Sequence, residues 1–145
     1  MIPTQPPPPP EWSLDPRLAH DTINVGDLPL CRLLVIKDAN YPWLLLVPRR
    51  RDAVEIFDLS EIEQAQLTTE ISRVARALKT TSPCDKLNIA ALGNAVSQLH
   101  IHIIARHVGD AAWPRPVWGI AEPISHHPEE LDAFISALRK KLWLQ

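Results

Sequence analysis

The sequence predicts an α+β domain, a mostly antiparallel sheet covered by one long helix and a C-terminal helix. Three observations carry this expectation. Aliphatic runs at residues 30–36 and 43–47 flank the turn-forming stretch Lys37-Asp38-Ala39-Asn40-Tyr41-Pro42, which reads as a hairpin and makes the sheet at least partly antiparallel. A capping box, Ser60-Glu61-Ile62-Glu63, opens a helix with an apolar stripe. Period-two alternation then recurs at residues 94–106, ahead of a second helical stripe near the end of the chain.

The elements follow in order. Residues 1–11, with five successive prolines, are expected as a flexible extended or polyproline II tail, leaving 12–145 as a single domain. Asp15-Pro16 places an N-cap before a proline at the first helical position, opening a short helix to about His20. Val25-Gly26-Asp27 reads as a turn or the start of a short strand. The two hairpin strands come next, the second stopped by Pro48. Arg49-Arg50-Arg51 then offers either a phosphate grip or a solvated charge run. The capped helix runs to about Lys79, with Ile62, Leu67, Ile71, Val74, Ala75 and Leu78 as its core stripe. Leu87, Ile89 and Ala91 mark a third strand, and Leu92-Gly93-Asn94 turns into the fourth. The loop Trp113-Pro114-Arg115-Pro116-Val117-Trp118 is either a packed plug or an aromatic wall for a ligand. Pro128-Glu129-Glu130 starts the last helix, its acids at the positive end and Arg139, Lys140 and Lys141 at the negative end.

A chain of 145 residues, 46% hydrophobic and 22% charged, is long enough to bury one core. A net charge of −2 exerts no bulk pull toward nucleic acid or an anionic membrane. No apolar run reaches the roughly 18–20 residues of a membrane span. Cys31 and Cys84 make neither a disulfide framework nor a CxxC pair, and the N-terminus lacks a secretory pattern, so the expected compartment is the cytoplasm.

The chemistry concentrates at Gln98-Leu99-His100-Ile101-His102. Read as a strand, it puts Gln98, His100 and His102 on one face and Leu99, Ile101, Ile103 and Ala105 on the other. Three readings stay open: buried histidines satisfied by hydrogen bonds, a metal-binding pair, or a nucleophile with a helper. A zinc site wants three or four protein ligands, and His20, His107, His126, His127 and the cysteines form no ligand-spaced cluster. An imidazole nucleophile attacks phosphorus, with donors needed for the non-bridging oxygens. Gly93, Asn94 and Ser97 stand where such donors are required. Asn40 in the hairpin turn and Trp113 in the loop are further candidate substrate contacts.

These residues resemble the signature of the histidine triad (HIT) family, His-φ-His-φ-His-φφ with φ hydrophobic. Asn94-x-Val96-x-Gln98-x-His100-x-His102-Ile103-Ile104 follows it in a Gln-x-His-x-His form. Upstream, Pro42-Trp43-Leu44-Leu45-Leu46-Val47-Pro48-Arg49 is similar to the family's Gly-His-x-Leu-Val-Ile-Pro-Lys segment. Downstream, the Trp-Pro stretch is similar to a tail found in one branch. The resemblance spans roughly residues 28–119 and looks like that of small bacterial members.

The resemblance implies a HIT-like fold and a nucleotide hydrolase acting at an α-phosphate of a nucleoside phosphoramidate or dinucleoside polyphosphate. By position, His100 matches the histidine that becomes nucleotidylated, His102 the one that assists the leaving group, and Asn94 a contact to the α-phosphate. It also implies metal-independent chemistry with no cofactor, a nucleotide as small-molecule partner, and a homodimer formed by sheet extension. Gln98 stands in place of the first triad histidine, and Trp43 in place of the upstream histidine. Ala95 replaces a serine seen in some members. Glutamine donates a hydrogen bond but relays no proton near neutral pH. A nucleotidyltransferase, a nucleotide-sensing module with little turnover and a metal-binding protein using His100 and His102 are the alternatives.

Overall fold

The computed structural model describes residues 11–144. The tail assigned to residues 1–11 lies, apart from Glu11, outside the described residues. Five strands, β1 (Thr22–Asp27), β2 (Cys31–Ile36), β3 (Trp43–Pro48), β4 (Lys86–Ala90) and β5 (Ile101–Arg106), form one sheet in the order β1-β2-β3-β5-β4. Every neighbouring pair is antiparallel. Three helices accompany it: α1 (Pro16–Asp21), α2 (Glu61–Thr81) and α3 (Pro128–Leu142). The α+β class is therefore as the sequence indicates.

Local chemistry accounts for most boundaries. The Asp15 carboxylate accepts the Arg17 N–H at 2.8 Å and caps α1. The capping box of α2 closes both ways: Ser60 Oγ accepts from Glu63 N–H, and Glu63 Oε1 accepts from Ser60 N–H. Leu67, Val74, Ala75 and Leu78 are buried as expected, but Ile62 is 83% exposed. At 3.6 residues per turn, Ile62 lies well round the helix from Leu67 and Val74.

Two strand readings need correction. Val25-Gly26-Asp27 ends a strand instead of starting one, and the β1–β2 register slips between Asn24 and Gly26. That bulge sets the buried residues Thr22 and Val25 three apart, which erases the period-two signal. The strand expected over residues 94–106 is shorter, starting at Ile101, and residues 91–100 are irregular.

The sheet packs on both faces. Leu33, Leu44, Leu46, Ile101 and Ile103 meet Leu67, Val74 and Leu78 of α2 and Ile135 and Leu138 of α3. Each such aliphatic side chain stabilises the fold by about 1.5–3 kcal/mol through burial. On the other face, Leu34, Leu45 and Val47 are covered by Leu18 of α1 with Trp12 and Leu14. Farther along that face, Trp43 and Ile104 are covered by Ala112, Val117 and Trp118. His102 pairs with Leu45 and Ala90 across its neighbouring strands. It thus sits where the two coverings meet.

One buried carboxylate organises the β2 entrance. Glu70, fully buried on α2, accepts the N–H groups of Leu30 and Cys31 at 2.9 and 2.8 Å and a bond from Gln66 Nε2 at 2.6 Å. Both cysteines are free thiols, and burial, reinforced by Glu70, pushes the Cys31 thiol well above its ordinary range. Arg49 donates to the Leu28 and Pro29 carbonyls, Arg50 pairs with Glu63, and Arg51 lies 3.5 Å from Asp52. Arg49 thus ties the end of β3 to the loop before β2, and Arg50 ties it to α2, while Arg51 meets its exposed neighbour. Among the described residues, no helix is long and apolar enough to cross a membrane.

Candidate active site

His100 and His102 come together as the sequence indicates, but by different means. His102 is held within β5, whereas His100 belongs to the irregular segment just before it. Their rings are edge-on, with centroids 5.0 Å apart, and both residues are buried.

Each imidazole has one nitrogen fixed by a partner with a single possible role. His100 Nδ1 lies 2.6 Å from the backbone carbonyl oxygen of Gln98. A carbonyl only accepts, so Nδ1 carries the proton and the Nε2 lone pair remains available. His102 Nδ1 lies 3.0 Å from Trp43 Nε1. An indole N–H only donates, so here Nδ1 accepts and the ring proton resides on Nε2. The two histidines thus hold opposite tautomers, His100 with a free Nε2 lone pair and His102 with an Nε2–H donor.

Burial, seconded by the neighbouring His100, lowers the His102 pKa to about 4, so this ring is neutral at physiological pH. Its walls are aromatic: Trp118 stands edge-on at 5.0 Å and Trp43 lies 5.8 Å away, centroid to centroid. The sequence marks the tryptophan-rich loop, but Trp118 is the indole that reaches His102. Trp113 sits instead near the Arg106 guanidinium, 5.7 Å from its ring centre. Arg106 and Asp110 fasten this loop with two hydrogen bonds of 2.8 Å. Asp110 also accepts the N–H groups of His107, Ala112 and Trp113. The Arg106 guanidinium holds the Asp110 carboxyl far below the usual range.

Gln98 does not share a strand face with His102, because it precedes β5. Its side chain bridges the N-terminal segment, accepting from Asp15 N–H at 2.8 Å and donating to the Ser13 carbonyl at 2.9 Å. Arg17 adds a 2.8 Å bond to the Ala95 carbonyl. The segment before His100 is thereby pinned to the start of α1.

His100 opens onto a cavity of about 330 Å³ lined by Val54, Ile56, Phe57, Leu92, Gly93 and Ser97, among others. A second hollow of about 390 Å³, toward Ser13, Asp15 and Asp52, shares Val54, Ser97 and Gln98 with it. Gly93 adopts φ +79°, a conformation that favours glycine, as the chain bends into this loop. The backbone N–H groups of residues 94–98 meet no backbone acceptor among the described residues. Asn94 is exposed in the same loop. The Asn40 amide bridges Asp38 and the Glu122 carbonyl, fastening the hairpin turn to the C-terminal loop. Among the described residues, no three His, Cys, Asp or Glu side chains form a metal-holding group.

Comparisons with known proteins identify the family and the fold. A family model described as the HIT domain matches residues 17–109. The chain is 71% identical to a histidine triad protein from Bradyrhizobium japonicum, covering 92% of this chain and 100% of that one with a TM-score of 0.91. A histidine triad protein from Sinorhizobium meliloti is 44% identical over 90% of this chain and 96% of its own, with a TM-score of 0.87. One from Marinobacter aquaeolei is 39% identical, covering 92% and 98%, with a TM-score of 0.89. A curated relative from Mycobacterium tuberculosis, AP-4-A phosphorylase, is 32% identical over an alignment of 81 residues that covers 49% of this chain and 41% of that protein. The matched stretch is thus less than half the length of that relative.

Proposed function

Because the chain belongs to the histidine triad family, we propose that it processes nucleotides by covalent catalysis, with His100 as nucleophile and an α-phosphate as target. The observation that carries this reading is the 2.6 Å contact between His100 Nδ1 and the Gln98 carbonyl, which leaves Nε2 unprotonated. Nε2 attacks phosphorus, the bond to the leaving group breaks, and its electron pair departs with that group. The nucleotidyl-imidazolium that results keeps its Nδ1–H on the carbonyl. Water then attacks the phosphorus, His100 departs as neutral imidazole, and the nucleoside monophosphate is released with a proton passing to solvent.

The remaining pieces support charge development in this step. His102 Nε2–H, together with the loop N–H groups at residues 94–98, offers donors for phosphoryl oxygens. Asn94, Gly93 and Ser97 fall on that loop or line its cavity. The two adjoining hollows suit a substrate extending on both sides of the reacting phosphate. The exposed apolar residues Ile89 and Leu92 at the β4 edge suit a homodimer, which light scattering would register as twice the mass of the chain.

The test is turnover and adduct formation with diadenosine tetraphosphate and a fluorogenic adenosine phosphoramidate. The expected result is a nucleotidyl adduct on His100 by mass spectrometry, with turnover and adduct both lost in His100→Ala. Tight AMP binding without turnover of either substrate would mark a sensing module and overturn the reading. A second reading, transfer to phosphate in place of water, is favoured by the likeness to AP-4-A phosphorylase. Nucleoside diphosphate formed only when phosphate is supplied would select it.

A further inference from the structure

We propose that Trp43 is a positioning residue that sets leaving-group specificity: its indole N–H holds His102 as a neutral Nε2–H donor, so the site favours displacement of phosphate oxyanions over amines. This rests on the nucleotidyl-histidine reading above. The geometry is direct. Trp43 Nε1 is 3.0 Å from His102 Nδ1, and the indole has a proton to give and no lone pair to accept with. Protonating His102 on Nδ1 would set two N–H groups against each other in a buried site. The packed walls add to this, since Trp118 and Trp43 exclude the water that would solvate an imidazolium. The titratable group facing His102 is His100, whose ring lies 5.0 Å away and, once it carries charge as the nucleotidyl-imidazolium, disfavours a second positive charge beside it.

The chemical consequence depends on what leaves. In a phosphoric anhydride, the breaking P–O bond puts its electron pair on a phosphate oxygen, which is stable as the anion. A hydrogen bond from His102 Nε2–H stabilises that charge without transferring a proton. In a phosphoramidate, the breaking P–N bond puts the pair on nitrogen, which leaves only after receiving a proton. A neutral imidazole N–H is too weak an acid to supply it, and the Gln98 side chain is engaged with Ser13 and Asp15. Among the described residues, no acid at the site therefore serves an amine. The substrate class assigned is a nucleotide whose α-phosphate is joined to a further phosphate, as in dinucleoside polyphosphates.

The experiment has two arms. Nitrogen-15 imidazole spectra of the wild-type protein read the His102 tautomer directly and need no variant; Nε2–H is expected, and Nδ1–H overturns the proposal. Kinetics then compare diadenosine tetraphosphate with the fluorogenic adenosine phosphoramidate in wild type, Trp43→Phe and Trp43→His. Wild type is expected to favour the tetraphosphate by about 100-fold or more in kcat/KM, the scale of a missing general acid. Trp43→His restores a ring able to exchange a proton with His102 and is expected to move that ratio about tenfold toward the phosphoramidate. Trp43→Phe is expected to lower kcat on the tetraphosphate with KM little changed. Equal or preferred use of the phosphoramidate by wild type overturns this proposal while leaving covalent catalysis standing. Absence of turnover and of any His100 adduct removes the enzymatic reading, and this proposal with it.

Discussion

The Gln98 backbone carbonyl accepts from His100 Nδ1, while the Gln98 side chain turns away to Ser13 and Asp15. Orientation of the His100 ring is therefore a main-chain property at this position, which any residue can supply. The side chain does something separate, its amide pairing with both an acceptor and a donor of the N-terminal segment.

The first prediction follows from that division. Gln98→Ala removes two hydrogen bonds worth together about 1–3 kcal/mol of stability, without changing the tautomer of His100. Thermal unfolding should register that loss, while kcat falls by less than about tenfold, in contrast to the complete loss in His100→Ala. A kcat as low as that of His100→Ala would mean that the glutamine side chain takes part in chemistry after all.

The second prediction concerns acid. His102 is neutral in the fold with a pKa of about 4, against an ordinary value of 6.5. The unfolded chain takes up a proton there as pH falls below 6.5 and the folded chain does not. Stability from this group is thus fully present above 6.5, declines as pH drops, and levels off near 4. The loss amounts to about 3 kcal/mol. Trp118→Ala admits water to the ring and should raise the His102 pKa toward 6.5. Following the His102 ring signals by NMR during a pH titration would measure both values.

Sequence and structure agree where a single local rule decides the outcome. The capping box of α2, the proline at the start of α1 and the aliphatic hairpin strands each declare themselves within a few residues. The histidine pair is legible for the same reason, since the i, i+2 spacing is local. Extending that alternation upstream misplaces Gln98, because the residues before Ile101 are not in a strand. Nothing in the adjoining sequence signals its partners, Ser13 and Asp15, which lie more than eighty residues away. Trp118 and Glu70 escape a sequence reading as individual residues for the same physical cause. A tryptophan's approach to His102 and a carboxylate's contact with two amides of another element are fixed by tertiary packing alone. The composition of the loop at residues 113–118 does mark it as special, without telling which indole faces the site.

A third prediction tests the fastening of that loop. Arg106 is buried and its guanidinium is shared between Asp110 and Asn88. Asp110→Ala leaves a buried cation without its counter-charge, a change that costs about 3–5 kcal/mol. Asp110 has a depressed pKa, so its contribution is present above the ordinary value of 3.8 and is lost as pH falls below it. Denaturant unfolding of Asp110→Ala at neutral pH should show the loss. Tryptophan fluorescence should also change, because Trp113 and Trp118 belong to the loop that this pair anchors.

The last prediction addresses Glu70, the buried carboxylate at the entrance to β2. Its two oxygens accept from Leu30 N–H, Cys31 N–H and Gln66 Nε2, and the residue has no exposed surface. Glu70→Ala strands two buried backbone donors and opens a cavity beneath the hairpin. At about 1–3 kcal/mol for each unsatisfied group, the loss is comparable to the total stability of many small domains. Glu70→Gln keeps the shape and one acceptor oxygen, but it turns the other into an amide NH₂ that faces an N–H group. It should therefore recover only part of the loss. Hydrogen exchange at Leu30 and Cys31 separates this local account from a general weakening of the core. Both amides should exchange faster in Glu70→Gln than the rest of the sheet does, and uniform acceleration across all five strands would contradict the assignment.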